Sequence, residues 1–512
     1  MPNALAYVAI VGWPVLCLAA FARLRPAAAV LVSLMGAMLL LPEKTEVTVP
    51  FQPLAKQEMA SLGVLLGILL VTSARRQLWA AKPLRGAELW LLVGMVGAFG
   101  TSFVNKEPLD YHGRVILPAL TTWEAVAVCV GDVYTCLIPF IVGRALFHSR
   151  DDAKLLLRAL QIGALLYVPF IVIEILLSPQ LHNWVYGFAQ HDFIQTVRAG
   201  GYRPMVFMSH GLGLTLFLAA AVLAGNVLTL ARLPTIGRLR GRYVSVVLLL
   251  VLLGCKSLGA AVLAFFFTGV LHFLAPRWQL RVLVTLAALV IAYPVSRATE
   301  VFPHRALIQL TKDLVGSERA QSLEFRFENE EFLATHAGKK PIFGWGRYRR
   351  NMLFESPWRD EPTSVGDGYW INLYGIRGAV GFLTFFALML TPVFFLRRRL
   401  SWLRSIEDRY LLVGLTCILM MYTLDLIPNG LFTNFPVFFA GALMGLIRGI
   451  TEAQTSSSSV GQPPLSSPLH PVQAWAEPPP TAPGFVSRPT GRRSLLEVAH
   501  GLRRWVAPSL TR

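Results

Sequence analysis

Long apolar runs with few charges recur along most of the chain, and they leave few folds open to it. Thirteen segments can be drawn: residues 4–22, 27–41, 59–72, 87–104, 126–147, 155–177, 207–230, 243–254, 258–274, 282–295, 369–396, 410–426 and 431–447. Each is long enough, or nearly so, to cross a hydrocarbon core ~30 Å thick at ~1.5 Å per residue. Lipid offers no hydrogen-bond partner, so only helices or closed barrels cross it. The runs are continuously apolar instead of alternating, which selects helices. Composition agrees: 54% of residues are hydrophobic and 15% charged, with a mean hydropathy of +0.54. The expected fold is all-α, a polytopic membrane protein of about 13 transmembrane helices with one large loop that itself contains helices. The 243–254 run is the weakest, and one long span broken near Lys256 is its alternative reading.

Charge bookkeeping gives the expected sidedness. The loops after the odd-numbered spans, from Arg23 to Arg409, hold 20 Lys and Arg. The alternate short loops hold seven: Lys44, Lys56, Lys106, Arg114, Arg198, Arg203 and Lys256. This predicts an N-terminus outside, a C-terminus inside and the large loop, residues 296–368, on the periplasmic side of a bacterial inner membrane. The organisation expected is a first bundle of about ten spans (1–295), the periplasmic loop (296–368), three last spans (369–450) and a cytoplasmic tail (451–512). The tail is rich in Ser and Pro, a composition that buries no core. Its 492–504 stretch reads either as a basic helix on the membrane surface or as a basic disordered end.

The net charge of +18 needs no nucleic acid. The large loop carries 11 basic and 11 acidic residues, and the excess sits in loops facing anionic lipid. The five cysteines lie in or beside apolar runs and form no C-x-x-C, so neither a zinc site nor a disulfide framework is expected. The first apolar run lacks a basic leader and a clear cleavage site and reads as a retained span. No internal repeat, phosphate-binding loop or H-E-x-x-H motif is visible, and neither metal nor cofactor is expected.

The informative side chains stand near the outer face. Arg203, in GGYRPMVFMSHGLG with Arg198 nearby, reads as an interfacial arginine or as a bidentate anion clamp. His210, two turns further on, reads as a hydrogen-bonded core residue or a substrate contact. Lys256, in LLGCKSLGA, reads as a turn lysine or a second phosphate contact. Residues 317–337 read as a charged helix in which Arg326 sits among Glu324, Glu328, Glu330 and Glu331. The segment KKPIFGWGRYRRN follows. Trp345, Arg347 and Arg349 in it suit a sugar phosphate, the ring stacking on the sugar and the arginines holding phosphate, and equally suit a membrane-interface belt. Asp367 opens the next span and reads as a helix cap or a reactive carboxylate. Asp132, Glu174 and Asp425 are acidic groups inside apolar runs; lining one cavity together, they would favour a transporter.

In order and type these pieces resemble the O-antigen ligase and polymerase superfamily of bacterial surface-polysaccharide assembly. The matching residues are Arg203 before a long span, CKSLGA at a short-helix junction, RFENEEF followed by KKPIFGWG, and DGYWINLYGIRGAVGF. The resemblance covers roughly residues 202–386. It implies a metal-independent membrane glycosyltransferase acting on undecaprenyl-diphosphate-linked glycans at the periplasmic face. It carries over Arg203, Lys256 (in charge only) and Arg326 as diphosphate contacts. Asp367 stands where ligases have a histidine, which favours a polymerase. A ligase is the alternative within the superfamily, and a lipid-linked oligosaccharide flippase or other transporter the alternative outside it. The partners implied are the lipid-linked glycan, membrane lipid, and a flippase and a chain-length regulator.

Overall fold

A computed structural model describes residues 1–198, 200–233, 241–299, 301–354 and 360–459. The expected terminal helix at 492–504, and the tail beyond residue 459, lie outside the described residues. The described chain is mostly helical, with two short antiparallel ribbons, Leu109–Tyr111 with Val115–Leu117 and Val197–Arg198 with Gly201–Tyr202.

Each of the thirteen apolar segments falls on a helix. Among the described residues, seven helices are long and apolar enough to cross a membrane: Ala4–Arg23, Thr122–Leu146, Arg150–Leu177, Gly211–Leu230, Pro276–Arg297, Tyr369–Trp402 and Asn434–Thr455. Lys56–Leu70 and Thr72–Ala80, bent by 97° at Val71, make an eighth if taken as one span. Pro26–Leu40, Leu89–Phe103, Gly241–Gly254 and Leu258–Phe273 are apolar but shorter. Ile406–Asp425 has the length but carries Glu407, Asp408 and Arg409 in its first turn. The two helices beside Lys256 are separate, joined by a tight turn in which Lys256 takes a left-handed conformation (φ +55°).

The Gly211–Leu230 helix is the axis of the bundle. It is enclosed by Arg150–Leu177, Gly241–Gly254, Leu258–Phe273 and Ile406–Asp425. Ile138–Leu146 and Asn434–Ser459 pack backbone against backbone. Gly441, Gly445 and Gly449 repeat at four-residue spacing there, and a Cβ at any of them would collide with backbone of Phe140, Arg144 or His148. Small residues at that spacing let two backbones approach without a side chain between them.

The loop after the Pro276–Ala298 helix folds as two helices, His304–Val315 and Ser317–Gly338, and then a turn-rich segment. That segment is built into the bundle. The Tyr369–Arg399 helix breaks at Gly378 (φ +61°, ψ −163°). At the break the Trp345 and Gly346 N–H groups donate to the Gly375 and Ile376 carbonyls at 2.8 and 2.9 Å. The Ala379 and Val380 N–H groups donate to Pro341 and Ile342 at 2.7 and 3.2 Å. Backbone from residues 341–346 thus supplies the bonds that an unbroken helix would make internally. Leu89–Phe103 holds the other side of the segment: Thr101 Oγ1 donates to the Phe343 carbonyl at 2.6 Å, and Asn105 Nδ2, just beyond the helix, to Gly344 at 2.9 Å.

Candidate active site at the N-terminal end of the central helix

The axial helix begins with His210 as its N-cap, whose Nδ1 accepts from the Leu212 N–H at 3.0 Å. The positive end of the helix dipole therefore faces this end of the bundle. Residues 203–208 run up to it as irregular chain, and almost every backbone group there is tied down. The Arg203 N–H donates to Thr196 at 2.8 Å. Glu174 Oε2 accepts from the Met205 and Val206 N–H groups, both at 2.7 Å, and Oε1 from Leu181 at 3.2 Å. Gln190 Nε2 donates to the Val206 and Met208 carbonyls. The Phe207 N–H donates to the Tyr167 hydroxyl at 3.1 Å, and Lys56 Nζ donates to the Phe207 carbonyl at 3.0 Å. Glu174 and Lys56 are fully or nearly buried, so these bonds are not in competition with water.

This scaffold holds the buried Arg203. Its aliphatic stem lies against the first residue of the axial helix: a Cβ on Gly211 would stand 2.5 Å from both Cγ and Cδ of Arg203. Glycine at 211 is what admits the stem.

Arg203 faces a cavity of about 380 Å³, where the structure brings together four of the residues named from sequence: Arg203, His210, Arg326 and Asp367. Arg326 comes from the Ser317–Gly338 helix, and its Nε lies 3.3 Å from Asp367 Oδ2. Asp367 does not cap the following helix, whose N-cap is Gly368 without a side-chain bond. Its position comes instead from a turn stapled to residues 426–430. The Tyr369 N–H donates to Leu426 at 3.0 Å, and Asn372 Nδ2 donates to the Gly366 and Gly368 carbonyls. Both members of the pair are somewhat over a third exposed, so the bridge itself adds little stability and remains free to exchange partners.

Sequence reasoning missed Arg319, His191, Gln195, Ser322 and Asn429, which also line the cavity. Arg319 and Ser322 were in principle readable, since they precede Arg326 by about two turns and one turn on the same helix. The lining holds three guanidinium groups against the carboxylates of Glu318 and Asp367, an excess of positive charge beside a helix N-terminus. Lys256 is not among the lining residues but lies next to them: a Cβ on Gly201, two residues before Arg203, would collide with its Nζ. The backbone of Arg198 pairs with Gly201; its side chain lies outside the described residues.

Trp345, Arg347 and Arg349 do not line this cavity. Trp345 is buried, stacks on His336 at 4.4 Å and donates from Nε1 to the His336 carbonyl. Arg347 lines a small cleft with Glu124 and Arg377, and Arg349 is exposed. Their neighbour Arg350 is buried, with its guanidinium on the Trp345 and Pro118 carbonyls and Asn105 Oδ1. The aromatic and basic pattern here anchors the loop.

The three acidic residues inside apolar runs are each held by separate partners. Asp132, at a π-helical turn beginning at Val133, forms a two-bonded pair with Arg377, both bonds 2.7 Å. Glu174 holds residues 205–206. Asp425 accepts at 2.8 Å from Asn429, which lines the cavity. None of the three lines that cavity. Among the described residues no three His, Cys, Asp or Glu side chains group so as to hold a metal ion. Comparison with known protein families and with curated proteins finds no match for this chain.

Proposed function

We propose that this chain is a polysaccharide polymerase. On this reading it joins undecaprenyl-diphosphate-linked repeat units at the periplasmic face of a bacterial inner membrane, with thirteen spans and the 296–368 loop facing outward. The observation that carries the reading is the cavity where Arg203, Arg319 and Arg326 meet the N-terminal end of the axial helix and the carboxylate of Asp367. The unequal distribution of Lys and Arg between alternate loops supports the sidedness.

The chemistry follows from the residue types. A diphosphate is already a good leaving group, and fixed cations lower the cost of the charge that grows on it as the sugar C1–O bond breaks. Arg203 is fixed by the scaffold beneath it. Arg326 is over a third exposed and its charge is spent on Asp367. A bound diphosphate draws Arg326 away and leaves Asp367 to take the proton of the acceptor hydroxyl as its oxygen attacks C1. The C1–O electron pair leaves with undecaprenyl diphosphate. Binding of the donor thereby arms the base. Asp132, Glu174 and Asp425 are each taken up by their own partners and line none of the cavities described, which favours this reading over a transporter.

The test is the glycan profile of cells that depend on this protein. Arg203→Ala and Arg326→Ala should leave membrane insertion intact, abolish high-molecular-weight polysaccharide and let single lipid-linked repeats accumulate. Long chains persisting in both variants would refute the assignment. Loss of the wild-type protein that leaves finished polymer stranded on its lipid carrier would make it a ligase.

A further inference from the structure

We propose that the Ser317–Gly338 helix is a track for the glycan chain, and that a second polar cavity at its far end holds sugars remote from the bond being made. This rests on the polymerase reading. Three cavities, of about 380, 80 and 260 Å³, follow one another along the helix. Arg326 and Asp367 line both the first and the second; Glu330 lines both the second and the third. Ser322, Arg326, Glu330 and Ala334 step along at four-residue intervals, which places them on one face. At ~1.5 Å per residue that stripe runs about 18 Å.

The two ends of the track differ in charge. The first cavity has three guanidinium groups against two carboxylates, which suits an anion. The third sets Arg297 and Arg305 against Glu330 and Glu331, with His304 and Thr335 beside them. It is balanced, and it mixes donors with acceptors. Its carboxylates repel a phosphate, and it offers no large apolar wall to a lipid tail. A hydroxyl-rich, uncharged sugar segment fits that chemistry.

The cavity floor is preorganised. Arg297 is buried, held by Glu330 at 3.2 Å and by the Phe327 carbonyl at 3.1 Å, with the Phe302 and Phe327 rings beside it. Glu330 also accepts from the Tyr293 hydroxyl at 3.0 Å and from Trp370 Nε1. Arg305, Glu331 and Thr335 are exposed on the rim, where they adapt to different sugars. The Arg326–Asp367 pair stands between the anion cavity and this one, as expected if the chain crosses the reaction centre and continues along the helix.

The test compares chain-length distributions of the surface polysaccharide made in cells by wild type, the Arg305→Ala/Glu331→Gln double variant, Thr335→Trp and Arg326→Ala. The first two variants should shorten the modal chain at least threefold, with short oligomers present. Thr335→Trp fills the cavity from an exposed position and serves if the double variant lowers the protein level. Wild-type lengths in both would overturn the track, and so would loss of all polymer in both, which would assign the cavity to transfer itself. Long chains from Arg326→Ala refute the polymerase reading; its loss of polymer beside wild-type lengths in the cavity variants refutes the track alone.

Discussion

Gly378→Ala tests how the large loop is held. At φ +61° and ψ −163° the position lies where essentially only glycine goes, and an alanine there costs about 1–3 kcal/mol. A Cβ would also stand 2.5 Å from the Phe343 N, so the docked segment has to withdraw. Withdrawal loses the four bonds of Trp345, Gly346, Ala379 and Val380 to the opposing backbone. At ~0.5–1.5 kcal/mol each those bonds hold the clasp closed by about 4 kcal/mol, and the strain of the variant takes about 1–3 kcal/mol of that away. At 1.4 kcal/mol per tenfold, the clasp opens about 5- to 150-fold more often from strain alone, and the overlap adds to this. Hydrogen exchange by mass spectrometry in detergent reads this directly, on peptides covering residues 341–346 and 375–380. Gly338→Ala is the control, because a Cβ there meets nothing within 4 Å. Protection in both peptides that matches wild type in Gly378→Ala would refute the idea that loop backbone replaces the missing helical bonds.

Glu174→Gln keeps the shape but turns an amide toward the Met205 and Val206 N–H donors; on the proposed polymerase reading, polymer output should fall at least tenfold at near-normal protein level, and unchanged output would count against that reading or against Glu174 as the support of Arg203. Asp132→Asn strands the Arg377 charge and should cost about 3 kcal/mol in detergent melting, whereas Asp132→Leu with Arg377→Met should recover most of it; a double variant as unstable as the single refutes an ion-pair account. Burial lowers the pKa of His336 from its usual value near 6.5. Its folded state therefore disfavours the charged ring, and its contribution is whole above pH 6.5 and lost as pH falls below it. Protease sensitivity of the loop should rise from pH 7.5 to 5.5, and His336→Phe should flatten that rise; an equal rise in the variant places the cause elsewhere.

The helices were legible because lipid makes apolar length the dominant signal: every apolar segment lies on one, and the 317–337 expectation is met by Ser317–Gly338. Arg203, His210 and Asp367 were legible as polar residues near apolar ends, and Arg326 through the resemblance alone; the four do share a cavity. The function of the FGWG segment was not. A basic, aromatic sequence looks the same whether its side chains face a ligand or its backbone is bound into a protein, and only the partner at Gly375–Val380 decides. The break at Gly378 was hidden for a related reason, since an uninterrupted apolar run reads as an uninterrupted helix. Glu174 appeared as a charge out of place, because its partners are backbone N–H groups that no side-chain pattern records.

The clasp also bears on biosynthesis. Residues 341–346 leave the ribosome before the broken helix that needs them. Their carbonyl and N–H groups are therefore already present when Gly375–Val380 emerges with its own bonds open. In the reverse order the break would wait, unpaired, for a partner not yet made. Here a local interval of about 35 residues closes it, which keeps the chain from exposing raw backbone to lipid during assembly.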